Sequence, residues 1–157
     1  MYTGLLHLHN LMRWVIIILL TYSILRSLIS AYTGKPFSKA QIKASLFLMI
    51  SAHITLVLGL YQWFTGALGY KMIQSAGFGG VMKDSFARFW AVEHITAMVV
   101  AIVLITIGKG VSKKNISDVA KNKQTFIFYI LAMVLIVVSI PWPGREGVGR
   151  AIFPGMN

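Results

Sequence analysis

Four long apolar runs constrain the fold of this chain more than any other feature of its sequence. They cover roughly residues 5–29, 44–66, 86–108 and 125–142. An α-helix crosses the hydrocarbon core of a bilayer with about 20 mostly apolar residues, and each run is close to that length or longer. Four such spans leave no room in 157 residues for a separate soluble domain. The sequence therefore predicts an all-α membrane protein whose single domain, residues 1–157, is a bundle of four transmembrane helices in a lipid bilayer.

The charge and cysteine content narrow the possible chemistry. Only 12% of the residues are charged, whereas a soluble domain carries about 25%. The formal net charge of +11 indicates membrane topology and contact with anionic headgroups rather than binding of nucleic acid. The absence of cysteine excludes disulfides, thiolate metal sites, covalently attached haem and iron–sulfur clusters. Any redox cofactor must therefore be held by histidine.

The distribution of basic residues predicts the orientation of the helices. Nine basic residues flank the connections between helices one and two and between helices three and four: Arg26, Lys35, Lys39, Lys43, Lys109, Lys113, Lys114, Lys121 and Lys123. The opposite side has six: Arg13, Lys71, Lys83, Arg88, Arg145 and Arg150. The positive-inside rule then places both connections in the cytoplasm and both termini outside. No basic residue precedes the first run, so we expect it to remain as a helix and not to be a cleaved signal peptide.

The connections contain recognisable helix-ending residues. Gly34 and Pro36 separate the first two runs, and Ser38 is a candidate N-cap for the second helix. Residues 67–85, between the second and third runs, are rich in glycine and are predicted to form an outer loop.

All four histidines lie in or at the edge of the first three helices. Histidine inside a membrane is costly and points to a functional site by default. His53 and His94 lie at compatible depths on successive antiparallel helices, and His9 lies at about the depth of His94. Two imidazoles from facing helices are what a bis-histidine haem b requires. We expect one haem with His53 and His94 as axial ligands; a His9–His94 pair, two haems, and plain hydrogen bonding between helices are the alternatives.

The residues around these histidines suggest the rest of a cofactor site. Trp90 shares the helix face of His94, and Arg13 and Arg88 lie where haem propionates would reach water. Asn10, Arg13 and Glu93 suggest a quinone pocket between helices one and three, with Glu93 as proton acceptor in quinol oxidation. A structural ion pair of Glu93 with Arg88 or Arg13 is the alternative. Four alanines on the His94 face leave either clearance for a porphyrin or close helix packing: Ala87, Ala91, Ala97 and Ala101.

Methionine offers a competing interpretation. Met12, Met49 and Met98 each lie three or four residues from His9, His53 and His94, respectively. Imidazole together with thioether sulfur suits copper(I), so a copper-handling protein or transporter is an alternative to a cytochrome. Methionine is also a common filler of irregular gaps in protein cores.

Several segments together resemble a known group of proteins. They are Leu6-His7-Leu8-His9-Asn10-Leu11-Met12-Arg13-Trp14, Ala52-His53, Arg88-Phe89-Trp90-Ala91-Val92-Glu93-His94, Ile105-Thr106-Ile107-Gly108 and Ile140-Pro141-Trp142-Pro143. The chain resembles the small four-span bacterial membrane proteins described as cytochrome b-like. The resemblance implies a b-type haem protein of the bacterial cytoplasmic membrane, with His53, His94 and His9 as ligands by position.

The sequence thus predicts electron transfer, either with the quinone pool or as a membrane subunit of a larger respiratory complex. Copper handling and a structural subunit without a cofactor are the alternatives.

Overall fold

The computed structural model describes residues 2–153, and over this range the chain is all-helical. Helix α1 covers Tyr2–Thr33, α2 Lys39–Thr65, α3 Tyr70–Lys83, α4 Ser85–Lys113 and α5 Asp118–Ser139. Four of these helices, α1, α2, α4 and α5, are long and apolar enough to cross a membrane. The prediction of four spans is confirmed, and α1 and α2 extend several residues beyond the apolar runs. The side of the membrane on which the termini lie stays a prediction.

The four long helices run up and down and form a ring in the order α1, α2, α4, α5, with α5 again beside α1. Their inward faces form one core around the fully buried side chains of Leu20, Leu48, Ile105 and Tyr129. The outward faces carry exposed apolar side chains such as Val57, which suit contact with lipid. We call the end of the bundle that holds the α1–α2 and α4–α5 connections the lysine end, and the opposite end the cavity end.

The helix ends at the lysine end follow the sequence. Gly34 ends α1 with a positive φ of 66°, which glycine adopts at little cost. The Ser38 side chain accepts from the backbone N–H of Gln41, and the Gln41 side chain accepts from the backbone N–H of Ser38. This is a capping box, and it confirms the predicted N-cap. Ser117 caps α5 by accepting from the N–H of Ala120.

The predicted outer loop at residues 67–85 is wrong, because most of it forms the short helix α3. Gly77 has a φ of 68° and kinks this helix near its middle. Val81 is fully buried against Ala87 and Ala91 at the start of α4. Glycine-rich sequence has low helix propensity, so tertiary packing of this apolar side outweighs local preference here.

The segment after α5 folds back across the cavity end. The N–H of Arg150 donates to the carbonyl oxygen of Pro141 over 2.9 Å. The carbonyl oxygen of Ile152 accepts hydrogen bonds from the side chains of Arg13 and Trp14, and the Phe153 ring stacks on Trp14 at 5.5 Å. The end of the described chain is thereby held against α1.

Candidate cofactor site

A cavity of about 660 Å³ opens into the bundle at the cavity end. Protein sites for cofactors and small ligands occupy about 300–1,000 Å³ and are mostly apolar, so this cavity is of suitable size. Small residues on two facing helices make the space, namely Ala52 and Gly59 on α2 and Ala101 on α4. Its floor consists of aliphatic side chains from all four long helices, among them Ile16, Leu56, Ile102, Ile105 and Ile136.

His94 enters this cavity from α4, just after an unusual turn. Phe89–Glu93 forms a π-turn in which the N–H of His94 bonds to the carbonyl oxygen of Phe89, five residues earlier. The extra residue displaces everything before the turn by one position relative to His94. As a result the rings of Phe89 and Trp90 lie 5.8 and 5.9 Å from the His94 ring.

The π-turn also changes which alanines lie beside His94. Ala87 and Ala91 were expected beside His94, but both are buried against Val81 of α3. Ala101, which follows the turn, does line the cavity. A regular α-helical repeat applied across a π-turn assigns the earlier residues to the wrong face.

A hydrogen bond sets the tautomer of His94. Its Nδ1 lies 2.8 Å from the backbone carbonyl oxygen of Ser139, at the end of α5. A carbonyl oxygen can only accept, so Nδ1 carries the proton, and in the neutral ring Nε2 keeps its lone pair. Donation of one ring N–H to a backbone carbonyl is the usual arrangement of a histidine that ligates a metal through its other nitrogen.

His9 enters the same cavity from α1 and packs over Gly59 of α2. A Cβ atom at position 59 would lie 3.1 Å from the His9 Cε1, which is tighter than an ordinary contact. The absence of a side chain at Gly59 is therefore what gives the imidazole its place. The Nδ1 of His9 is buried and has no hydrogen-bond partner in the described chain.

Three buried polar atoms without a partner among residues 2–153 belong to side chains that line this cavity. They are the His9 Nδ1, the Arg13 Nε and the Trp90 Nε1. Leaving a buried donor or acceptor unpaired costs about 1–3 kcal/mol, so such atoms require an explanation. All three atoms border one cavity, where water or a bound group would supply the missing partners.

His53 lies outside the cavity. Its side chain is exposed on the lipid-facing side of α2, and its Nδ1 bonds to the carbonyl oxygen of Met49, one turn earlier in the same helix. The cavity face of α2 is centred on Ala52, Leu56 and Gly59. His53 is about 100° around the helix from that centre. The structure does not bring together the expected pair His53–His94; the histidines that share the interior of the cavity are His9 and His94, while His7 lies at its rim.

The arginines are also rearranged relative to the expectation. Arg13 lines the cavity, whereas Arg88 does not. The Nε of Arg88 forms an ion pair of 2.7 Å with Glu93, and its Nη1 donates to the carbonyl oxygen of Met82. Arg150 takes the second position at the cavity, with its guanidinium 5.3 Å from the centroid of the Trp90 ring. Sequence reasoning missed Arg150 because the fold-back of the last segment leaves no local pattern.

The remaining predicted site residues divide between two places. Asn10 and Trp90 line the cavity together with Arg13. Glu93 is about half exposed, pairs with Arg88 and lies instead at a smaller surface pocket beside Arg145. The predicted grouping of Asn10, Arg13 and Glu93 around a quinone is therefore not assembled in the cavity.

The His–Met pairs do not converge on one site. Met98 lines the cavity with His94, whereas Met49 packs into the core and His53 faces outward. Within residues 2–153 there is no group of three histidine, aspartate or glutamate side chains able to hold a metal ion. A metal in the cavity would therefore have two imidazoles and need further ligands from a macrocycle, from Met98 or from solvent.

Comparisons with family models, with curated proteins and with solved structures find no match to this chain. The resemblance to cytochrome b-like proteins therefore stays a prediction.

Proposed function

We propose that the cavity binds one haem b through His9 and His94, and that the protein transfers electrons in the bacterial cytoplasmic membrane. The observation that carries the proposal is the convergence of two histidines from α1 and α4 on one apolar cavity of about 660 Å³. The hydrogen bond from His94 to Ser139 leaves Nε2 available as a ligand, and His9 has a buried nitrogen without a protein partner.

Other residues of the chain fit the same group. Gly59 provides the space in which the His9 ring lies, and Ala101 leaves clearance on α4. Arg13 and Arg150 at the mouth carry the positive charge that two propionates require, and Trp90 offers an indole N–H. Neither arginine forms an ion pair with a carboxylate of residues 2–153, so both charges are available to a ligand.

The chain's own residues would define how the centre works. When bound, haem supplies reversible one-electron chemistry at its iron. The Ser139 carbonyl orients the His94 ring and raises its basicity. The aliphatic floor excludes water, and Arg13 and Arg150 offset the negative charge at the mouth. We infer that the electron partner is the quinone pool or another subunit of a respiratory complex, reached from the cavity end, where Asn10 and Arg13 lie.

Optical spectroscopy of the purified protein tests this proposal. Protein from cells supplied with ample haem should show a Soret band and, after dithionite reduction, distinct α and β bands, with one haem per chain by pyridine haemochrome assay. Colourless protein of the same purity would overturn the proposal. Metal analysis of such protein would then test copper bound by the two histidines and Met98.

A further inference from the structure

A second group of polar side chains is buried in the lysine half of the bundle, away from the cavity. α1 contributes three serines, α2 a glutamine and a serine, and α5 three further residues: Ser23, Ser27, Ser30, Gln41, Ser45, Asn122, Thr125 and Tyr129. Each is at most 2% exposed. We call this group the polar seam. Along the helix axis, the polar seam extends from Ser23 to Ser30 on α1, roughly 10 Å.

The polar seam begins at the lysine end with a satisfied network. The Gln41 side-chain amide donates to the Asn122 side-chain oxygen over 2.8 Å, and the Asn122 amide donates to the carbonyl oxygen of Lys35 over 3.2 Å. Lys35 belongs to the exposed α1–α2 connection. The network therefore links the interior of the bundle to a solvated loop.

Deeper in the polar seam most of the hydroxyl groups have no partner. Four hydroxyl oxygens are buried without a hydrogen bond to any residue that the structure describes, namely those of Ser23, Ser27, Ser30 and Thr125, while the buried hydroxyls of Ser45 and Tyr129 have only each other as a near partner. Their helices come from three sides of the core, and the Ser45 hydroxyl lies beside that of Tyr129. Buried unsatisfied hydroxyls are unfavourable, and ordered water is the usual solution.

Hydroxyls elsewhere in the bundle show a different arrangement. Five threonines bond to the carbonyl oxygen four residues earlier in their own helix: Thr21, Thr33, Thr55, Thr65 and Thr106. This local bond is how a helix satisfies a hydroxyl without outside help. Thr125 and the α1 serines Ser23, Ser27 and Ser30 do not form it, and they form no bond between helices either. Hydrogen bonding between helices therefore does not account for these unpaired hydroxyls.

Charge argues for water and against a metal cation. Eight lysines surround the lysine end, whereas Asp118 is the acidic residue there. The hydroxyls and amides of the polar seam carry no negative charge that would offset a buried cation. A water molecule makes about three hydrogen bonds in a protein interior, so the four unpaired hydroxyls and the Ser45–Tyr129 pair suit about two or three waters.

We propose that the polar seam holds a chain of water molecules that is continuous with solvent at the lysine end and forms a half-channel into the bundle. The water chain ends at the fully buried layer of Leu20 and Leu48, beyond which the cavity begins at Ile16 and Ala52. Such a chain would carry protons to within one layer of the cavity. The half-channel does not rest on haem binding, because it is defined by residues that the cavity does not use.

Cysteine accessibility tests the half-channel directly, since the chain has no native cysteine. Ser30→Cys, Ser27→Cys and Ser23→Cys are near-isosteric changes along one face of α1. Each full-length variant in lipid nanodiscs is exposed to Ag⁺ in about 1 M sodium nitrate, which shortens the screening length to about 3 Å and weakens repulsion by the lysines. Alkylation after denaturation, read by intact mass, counts the thiols that Ag⁺ left unreacted.

Two positions outside the polar seam serve as controls that should react slowly. Leu20→Cys lies one turn beyond Ser23 in the apolar layer, and Val57→Cys faces lipid. We expect Ser27→Cys and Ser23→Cys to react at least tenfold faster than both controls, with Ser30→Cys fastest. Seam thiols that react as slowly as Leu20→Cys would overturn the proposal, and so would equally fast reaction of Leu20→Cys.

Thr125→Val gives a second measurement that needs no thiol. In a hydrated seam the change removes a partner of bound water, so the melting temperature should fall relative to wild type. In a dry seam it removes an unsatisfied hydroxyl and should raise the melting temperature, which would contradict the half-channel. The matched control is Thr106→Val, whose hydroxyl is satisfied within its own helix.

Discussion

The Nδ1 of His94 lies 2.8 Å from the carbonyl oxygen of Ser139, so the last turn of α5 orients a histidine of α4. Because this bond uses the backbone of residue 139, it depends on the packing of two helices and not on the identity of the Ser139 side chain. It holds one edge of the imidazole and leaves the other for the cavity that His94 shares with His9.

The two cavity histidines should be required for haem binding, whereas His53 should not. We expect His94→Ala and His9→Ala each to lower the haem content of purified protein by more than about tenfold or to leave a high-spin spectrum, because an axial ligand is lost. His53→Ala is the matched control, since its side chain is exposed and bonds within its own helix. Loss of haem from His53→Ala with retention in His9→Ala would favour the pair expected from sequence.

The arginines at the cavity mouth should recognise the acidic groups of the ligand. Wild-type protein should bind haem b more tightly than its dimethyl ester, in which both propionates are neutral. Arg13→Gln and Arg150→Gln should each reduce this preference by about tenfold or more, since a charge-assisted hydrogen bond contributes about 1.5–3 kcal/mol. Spectroscopic titration of apoprotein with each porphyrin measures the two affinities.

Arg88→Gln is the control for the arginine variants, because Arg88 pairs with Glu93 outside the cavity. It should leave the preference for free propionates unchanged. Equal affinity of wild-type protein for haem and its ester would show that the arginines do not contact the propionates. That result would not bear on ligation by the histidines, which the alanine variants test.

The positions of the four spans could be predicted from the sequence because they depend on local composition. The set of residues that line the cavity could not. Hydropathy predicts that a helix enters the membrane but not which of its faces turns inward, so the sequence favours His53 as a ligand although His9 is the histidine that lines the cavity. The π-turn before His94 shifts the register of α4. Arg150 reaches the cavity through a fold-back of the last segment, which no periodic pattern records.

A substitution at Gly108 should test the core independently of any ligand. A Cβ atom at this position of α4 would collide with the buried ring of Tyr129 on α5. We expect Gly108→Ala to lower stability by about 1–3 kcal/mol through overpacking, despite the better helix propensity of alanine. Gly110→Ala, where nothing lies within 4 Å, is the control. Thermal unfolding in detergent compares the two, and equal melting temperatures would contradict the close contact of α4 and α5.

A substitution at Gly59 should alter the binding site without unfolding α2. A Cβ atom at Gly59 would meet the His9 ring at 3.1 Å, so Gly59→Val should displace the imidazole, while Gly110→Val places its side chain in open space. Removing glycine from a helix interior does not itself weaken the helix, because other residues gain a few tenths to about 1 kcal/mol in propensity. Gly59→Val should therefore stay folded and monodisperse but lose haem by about tenfold or show a shifted Soret band. Unchanged spectra in a folded Gly59→Val protein would mean that His9 does not occupy the position over α2 on which its role as a ligand depends.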